Sequence, residues 1–219
     1  MRHELVVYLG PSLPVHDAEQ ILPAEYLPPA KRGDIPLAVH NGARVICLID
    51  GVFFQDCSVG HREILAAIGK KIRVIGASSM GALRAAELDT LGMEGVGEVY
   101  QLYKSGNVES DDEVALIFDP ESGIALSVPL VNIRHILDLA VIQGLVDKVQ
   151  KDLLFSAAQS LYFPERTWDR IRELARGRIP APVLENVIHF AENGPDLKRE
   201  DAIRALTYTR NVAEELGIL

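Results

Sequence analysis

Ser78 and Ser79 stand where a strand-like run, Lys71-Ile72-Arg73-Val74-Ile75-Gly76, gives way to an alanine-rich helical stretch, Met80 to Leu88. A serine at such a junction has two uses. It can act as a nucleophile, because the first helical turn leaves backbone N–H groups unpaired and the helix dipole adds partial positive charge. Those donors would stabilise an anion or the oxyanion of an acyl-transfer intermediate. Alternatively, the serines simply cap the helix. Gly76 suits a sharp turn, and Gly81 lets the helix approach its neighbours closely.

A serine nucleophile needs a base. Of six histidines, His61 is the best placed, because it opens a helical stretch just after the Asp50-Gly51 loop. Asp50 is the candidate to orient it; its plainer role is to end a strand and hold a turn. The spacing around the serines is not Gly-x-Ser-x-Gly. It is similar to the Ala-Ser-Met-Gly-Ala segment of ClpP-type serine peptidases, which would make Ser79 the nucleophile. The Met80 N–H would then be one oxyanion donor, and a glycine such as Gly51 would supply the other. Arg84 and Glu87, three apart on one helix, are expected to pair. Asp111-Asp112-Glu113 offers acids for a metal or a basic partner, or a solvated turn; no second acidic cluster at ligand spacing supports a metal. No metal and no cofactor are expected.

These residues need a scaffold that brings distant loops together. Leu5 to Leu9, Arg44 to Ile49 and Lys71 to Gly76 read as buried strands. Helical spacing follows the second strand at His61 to Ile68 and the third at Met80 to Leu88. Strand, loop and helix in alternation predict a parallel α/β sheet flanked by helices. Sites in such sheets form at the carboxyl ends of the strands, where Gly10-Pro11-Ser12, Asp50-Gly51 and Gly76 to Ser79 all fall. The proline-rich stretch from Pro14 to Pro36 is expected to be mostly irregular, and 91–97 a loop. Val114 to Phe118 and Ile124 to Val128 suggest a hairpin. From about Val131 onward the chain reads as mainly helical. The expected division is an α/β core over 1–128 and a helical C-terminal region over 129–219.

The chain has 219 residues and a net charge of −9, which argues against nucleic acid as a general partner. Arg172, Arg176 and Arg178 form a local basic group, expected to be a solvated helix face. Two cysteines imply no disulfide framework and a reducing compartment. No apolar run is long enough for a membrane span, and the start of the chain lacks the form of a signal peptide. A cytoplasmic protein is expected.

An ordered set of stretches resembles the TfuA-like family. They are Gly10-Pro11-Ser12-Leu13, Pro28 to Ile35, Ile49 to Phe53, His61 to Leu65, Gly76 to Leu88, Gly92 to Gly97, Asp111 to Ala115 and Val131 to Arg134. The resemblance implies an accessory protein of YcaO-dependent peptide backbone thioamidation. It implies hydrolysis of a thiocarboxylated, ThiS-like sulfur carrier protein to release sulfide. The partners would be the YcaO-type enzyme and the carrier. Ser79, Ser78, His61 and Asp50 would be catalytic. Gly10, Gly51, Gly76, Met80 and Gly81 would form the oxyanion and tail-binding surface. Arg84, Glu87, Asp111, Asp112, Glu113 and Arg134 would support it. The competing expectation is a non-catalytic docking or allosteric partner of the YcaO enzyme.

Overall fold

The computed structural model describes residues 2–53 and 57–219; Met1 and 54–56 lie outside the described residues. Five strands form one parallel sheet: β1 (Leu5–Tyr8), β2 (Glu25–Leu27), β3 (Val45–Leu48), β4 (Arg73–Ala77) and β5 (Glu94–Val96). Their spatial order is β2-β1-β3-β4-β5. The helices of this part are α1 (Val15–Ile21), α2 (Asp34–His40), α3 (His61–Gly69), α4 (Met80–Leu88), α5 (Glu98–Lys104) and α10 (Leu197–Glu215). The expected parallel α/β sheet flanked by helices, with further helices toward the C-terminus, is the fold observed.

Alternation along the strands explains why both faces need helices. Leu5, Val7, Val45, Cys47 and Ile75 share one core with Ala18 of α1 and with Ala202, Ala205 and Leu206 of α10. Val6, Tyr8, Ile46, Leu48 and Val74 face the other way, toward Ile35 of α2, Ile64 of α3 and Ala85 of α4. Strands buried on both faces carry few polar residues, which is why β1, β3 and β4 were legible as apolar runs. β2 and β5 were expected to be irregular chain and loop. They are three-residue strands at the two sheet edges, each only half-buried, and too short to show a period.

Two compact units emerge. The first combines Met1–Asp111 with Lys198–Leu219, and the second is Asp112–Leu197. This division differs from the one expected at residue 128. The last helix belongs with the sheet, because its apolar stripe covers β1, β3 and β4. It is held there by Asp201, which is buried and accepts hydrogen bonds from the Glu98 and Val99 N–H groups at the start of α5, 2.9 and 2.7 Å. Gly97 at φ +95° sits so close that a Cβ on it would lie 2.3 Å from the Asp201 carboxyl carbon.

The second unit contains α6 (Leu130–Ile142), α7 (Lys148–Gln159), α8 (Trp168–Ala175) and α9 (Ala181–Glu192). They share one apolar core that includes Ile133, Leu137, Leu154, Trp168, Ile171 and Ile188. Fully buried Arg166 is neutralised by Asp112 at 2.6 Å and donates to the Ala158 carbonyl in the last turn of α7 and to the Leu161 carbonyl just beyond it. The hairpin expected over 114–128 reduces to a single antiparallel bridge, Phe118 to Ala125, closed by a turn at Asp119 to Gly123. Arg172 pairs with Asp169 and Glu185, as a solvated helix face would.

Candidate active site at the serine turn

The order β2-β1-β3-β4-β5 reverses direction between β1 and β3, so the loops after these two strands leave in opposite senses, at the topological switch point where sheets of this kind bind ligands. Gly10 and Ser12 follow β1, Asp50 follows β3, and the serines follow β4 next door. The sheet therefore gathers three loops that lie far apart in sequence.

The turn after β4 is unusually sharp. Ser78 has φ +65°, while the Ser79 N–H donates back to the Ala77 carbonyl at 2.7 Å. A hydrogen bond across three residues about a positive-φ centre is the rarer and strained form of γ-turn. For a residue with a Cβ, that conformation costs about 1–3 kcal/mol and survives only where its surroundings enforce it. Two glycines are part of that enforcement. A Cβ on Gly81 would lie 1.7 Å from the Leu48 carbonyl oxygen, and one on Gly76 would lie 2.2 Å from the Gly81 carbonyl oxygen. The start of α4 is thus pressed against the ends of β3 and β4, and the Gly81 N–H donates to the Ile49 carbonyl at 3.2 Å. Only glycine at 76 and 81 allows this approach.

The Ser78 hydroxyl is fully buried and donates to Ser12 Oγ at 3.0 Å. Ser12 Oγ donates to Asp50 Oδ1 at 2.7 Å. Asp50 Oδ2 accepts from the Gly10 and Ser12 N–H groups, 2.9 and 3.1 Å. Ser12 and Asp50 are both buried. In the sequence Ser12 stands only as part of the Gly10-Pro11-Ser12 loop, and nothing local marks it as a partner of Ser78, 66 residues away.

Ser79 occupies the N-cap position of α4 but makes no capping hydrogen bond with its side chain. Its carbonyl accepts from the Ala82 and Leu83 N–H groups. Among the described residues, the Met80 N–H, at the buried start of α4, has no hydrogen-bond partner. Gly51 lies beside it: a Cβ there would come within 2.7 Å of the Met80 side chain. Gly10 is wedged against Pro29 in the same way.

His61 is brought to a different partner. Its Nε2 lies 2.7 Å from Glu87 Oε2, and Arg84 Nη1 reaches the same oxygen at 2.7 Å. Arg84 also donates through Nε to the Val59 carbonyl. The described hydrogen bonds do not join His61 to Asp50 or to either serine, because the ring is spent on α4 at the surface. Arg84, Glu87 and Asp111 line a cleft of about 380 Å³ with Met80, Phe53 and Glu109. Asp112 and Glu113 do other work: the first neutralises Arg166, and the second pairs with Arg134 at 2.6 Å. Arg134 stacks its guanidinium 4.3 Å from the centre of the Phe155 ring. No group of acids, histidines and cysteines among the described residues could hold a metal ion. Burial pushes the Cys47 thiol up to about 12, so it is unsuited to thiolate chemistry. No helix of the described residues is long and apolar enough to cross a membrane.

The fold and the turn define the class: a doubly wound parallel α/β protein with a buried serine at a strained strand-to-helix turn after β4. The chain belongs to the TfuA-like protein family, whose model matches residues 50–167. That match runs from Asp50 through the serine turn to the helices of the second unit. No match was found among curated proteins. Membership supports an accessory role, associated with a YcaO-type enzyme, in thioamidation.

Proposed function

We propose that this protein releases sulfide from a thiocarboxylated, ThiS-like carrier protein for a YcaO-type enzyme, with Ser78 as the nucleophile. The observation that carries the reading is the strained turn that sets the Ser78 hydroxyl against Ser12, which in turn donates to Asp50. Ser79 was favoured by its likeness to a peptidase segment. It lacks the positive φ, and Ser78 rather than Ser79 is bonded to the Asp50 network.

The substrate class fits the geometry. A carrier's C-terminal thiocarboxylate is an acyl–sulfur group on a flexible glycine tail. Attack by Ser78 Oγ on its carbonyl carbon would place the developing oxyanion near the start of α4, where the Met80 N–H and the helix dipole offer stabilisation. Oxyanion donors of this kind contribute roughly 10²–10³ in rate. The cytoplasm is the compartment in which such chemistry and two free cysteines are both expected.

The test is sulfide release from a purified thiocarboxylated carrier. Ser78→Ala should reduce release by at least about 10³-fold with the fold retained, whereas Ser79→Ala should stay within about tenfold. Full activity of Ser78→Ala would end the nucleophile assignment.

One observation favours a second reading. Ser78 is 0% exposed, and its hydroxyl is already satisfied within the molecule. A turn built only to hold strand ends together would look the same, and the protein would then act as a docking or allosteric partner of the YcaO enzyme. In that case Ser78→Ala would still stimulate thioamidation when sulfide is supplied free, and the wild type would release none from the carrier.

A further inference from the structure

We propose that the pocket beside the edge strand β2 is a docking site for an extended segment of a partner protein, recognised through one lysine or arginine side chain. The proposal does not depend on the chemistry at the serine turn.

The sheet edge makes a place for the backbone of such a segment. β2 is an outer strand of the sheet and pairs with β1 on its inner side. The Leu9 N–H donates to the Leu27 carbonyl at 2.9 Å, so Leu27 turns its backbone groups toward β1. Along a parallel strand those groups alternate between the two sides. The Tyr26 N–H and C=O therefore point outward, past the edge of the sheet. An open edge is a template for another chain, and pairing with it is a recurrent way of binding extended peptides. Pro28 and Pro29 follow at once and end the edge. Few main-chain bonds are on offer, so selectivity must come from a side chain.

The pocket supplies that selectivity. It opens between β2 and α2 with a volume of about 330 Å³, at the small end of ligand cavities. Leu27, Pro28 and Leu37 give it apolar walls, and Leu37 is 57% exposed. Such walls suit the methylene stem of a long basic side chain. Glu25 and Asp34 line the same pocket and suit its charged head. The Tyr8 hydroxyl, also on the lining, donates to the Asp34 carbonyl at 2.8 Å. Burial first, and then the negative charges of Asp34, Glu25 and Glu63, push that hydroxyl well above its ordinary value. Three carboxylates therefore act on one point, and a neutral hydroxyl cannot balance them. His3 reaches Glu25 at 2.9 Å, but from a ring that is largely exposed. Lys31 is the one cation on the lining. It is exposed, and its backbone N–H, not its ammonium, is what meets the Asp34 carboxylate, at 2.9 Å. An incoming carboxylate would be repelled by these acids, whereas an incoming ammonium or guanidinium would be held. Pro29 also lines the pocket and packs on Gly10, where a Cβ would lie 2.5 Å from its ring. A docked segment would thus sit beside the loop that follows β1.

Fluorescence anisotropy of the full chain tests this, with a fluorescein-labelled heptapeptide of alternating valine and threonine around one central lysine. Saturable binding is expected. Replacing the central lysine by norleucine or glutamate should weaken it about tenfold or more, the usual worth of a hydrogen bond to a charged group. Asp34→Asn and Glu25→Gln should each weaken binding by about threefold or more. Leu37→Lys, at an exposed position that tolerates a polar side chain, should do the same by placing a competing ammonium at the pocket. Lys31→Ala should tighten binding, because it removes the competing cation already there. N-methylation of the two peptide amides flanking the lysine should weaken binding by removing the bonds to the edge. Each variant is compared at an unchanged circular dichroism spectrum. Tighter binding of the glutamate peptide, or weaker binding by Lys31→Ala, makes the pocket an anion site and overturns the proposal. Unchanged affinity of the N-methylated peptide, together with its displacement by spermidine, reduces the pocket to a small-amine site and overturns docking. Absence of saturable binding up to about 1 mM overturns it outright, whatever the outcome for sulfide release.

Discussion

Gly81→Ala is the sharpest probe of how the turn is held. The added Cβ would lie 1.7 Å from the Leu48 carbonyl oxygen and 2.7 Å from its carbon. An unstrained carbon–oxygen contact is about 3.3 Å, so α4 must withdraw by roughly 1.5 Å. The obstacle is backbone on both sides and cannot rotate away. Overpacking of this kind costs about 1–3 kcal/mol. Withdrawal also breaks the Gly81 N–H bond to Ile49, worth about 1 kcal/mol. The higher helix propensity of alanine returns about 1 kcal/mol. The net loss is therefore about 1–3 kcal/mol, or roughly 2–12 °C in Tm for a chain of this size. Gly69→Ala is the control: it ends α3 with nothing within 4 Å of an added Cβ, and should be neutral or slightly stabilising. Thermal melts followed by circular dichroism would compare the two. If Gly81→Ala melts within roughly 2 °C of wild type, the close approach of α4 to β3 is not what shapes this turn.

Other outcomes follow from the same structure. Lys71 follows α3 at φ +64°, where glycine is the unstrained residue, so Lys71→Gly should stabilise by about 0.5–1 kcal/mol in urea titrations. Hydrogen bonds from Lys104 first, and then Tyr100, hold the Asp89 carboxyl below its ordinary range. Its contribution to stability is then present above the usual carboxylate pKa and lost as pH falls through the lower folded value. Asp89→Asn should flatten the acid limb of a stability–pH curve and leave its neutral part parallel to wild type. Iodoacetamide should alkylate exposed Cys57 in the native protein and reach Cys47 only after denaturation, as intact-mass measurement would show.

The sequence by itself determined the scaffold and the position of the turn. Val6-Val7-Tyr8, Val45 to Leu48 and Val74-Ile75 had to be strands buried on both faces, because apolar runs that short cannot be hidden otherwise. Gly76 and Gly81 bracketing two serines announced a tight junction before any coordinates. The edge strands were invisible because Glu25-Tyr26-Leu27 and Glu94-Gly95-Val96 are short and only half-buried, so burial imposes no pattern on them. The fate of His61 was equally hidden: its place at the start of α3 was readable, but which neighbour its ring meets depends on how α3 packs beside α4, and there Glu87 meets it. Strand order alone decided the site. Placing β3 beside β1 brought Asp50 to Ser12 across 38 residues, and placing β4 next to β3 brought Ser78 to Ser12. Hydrogen bonds reach about 3 Å, and no pattern along a single chain encodes which distant loops will come within that range.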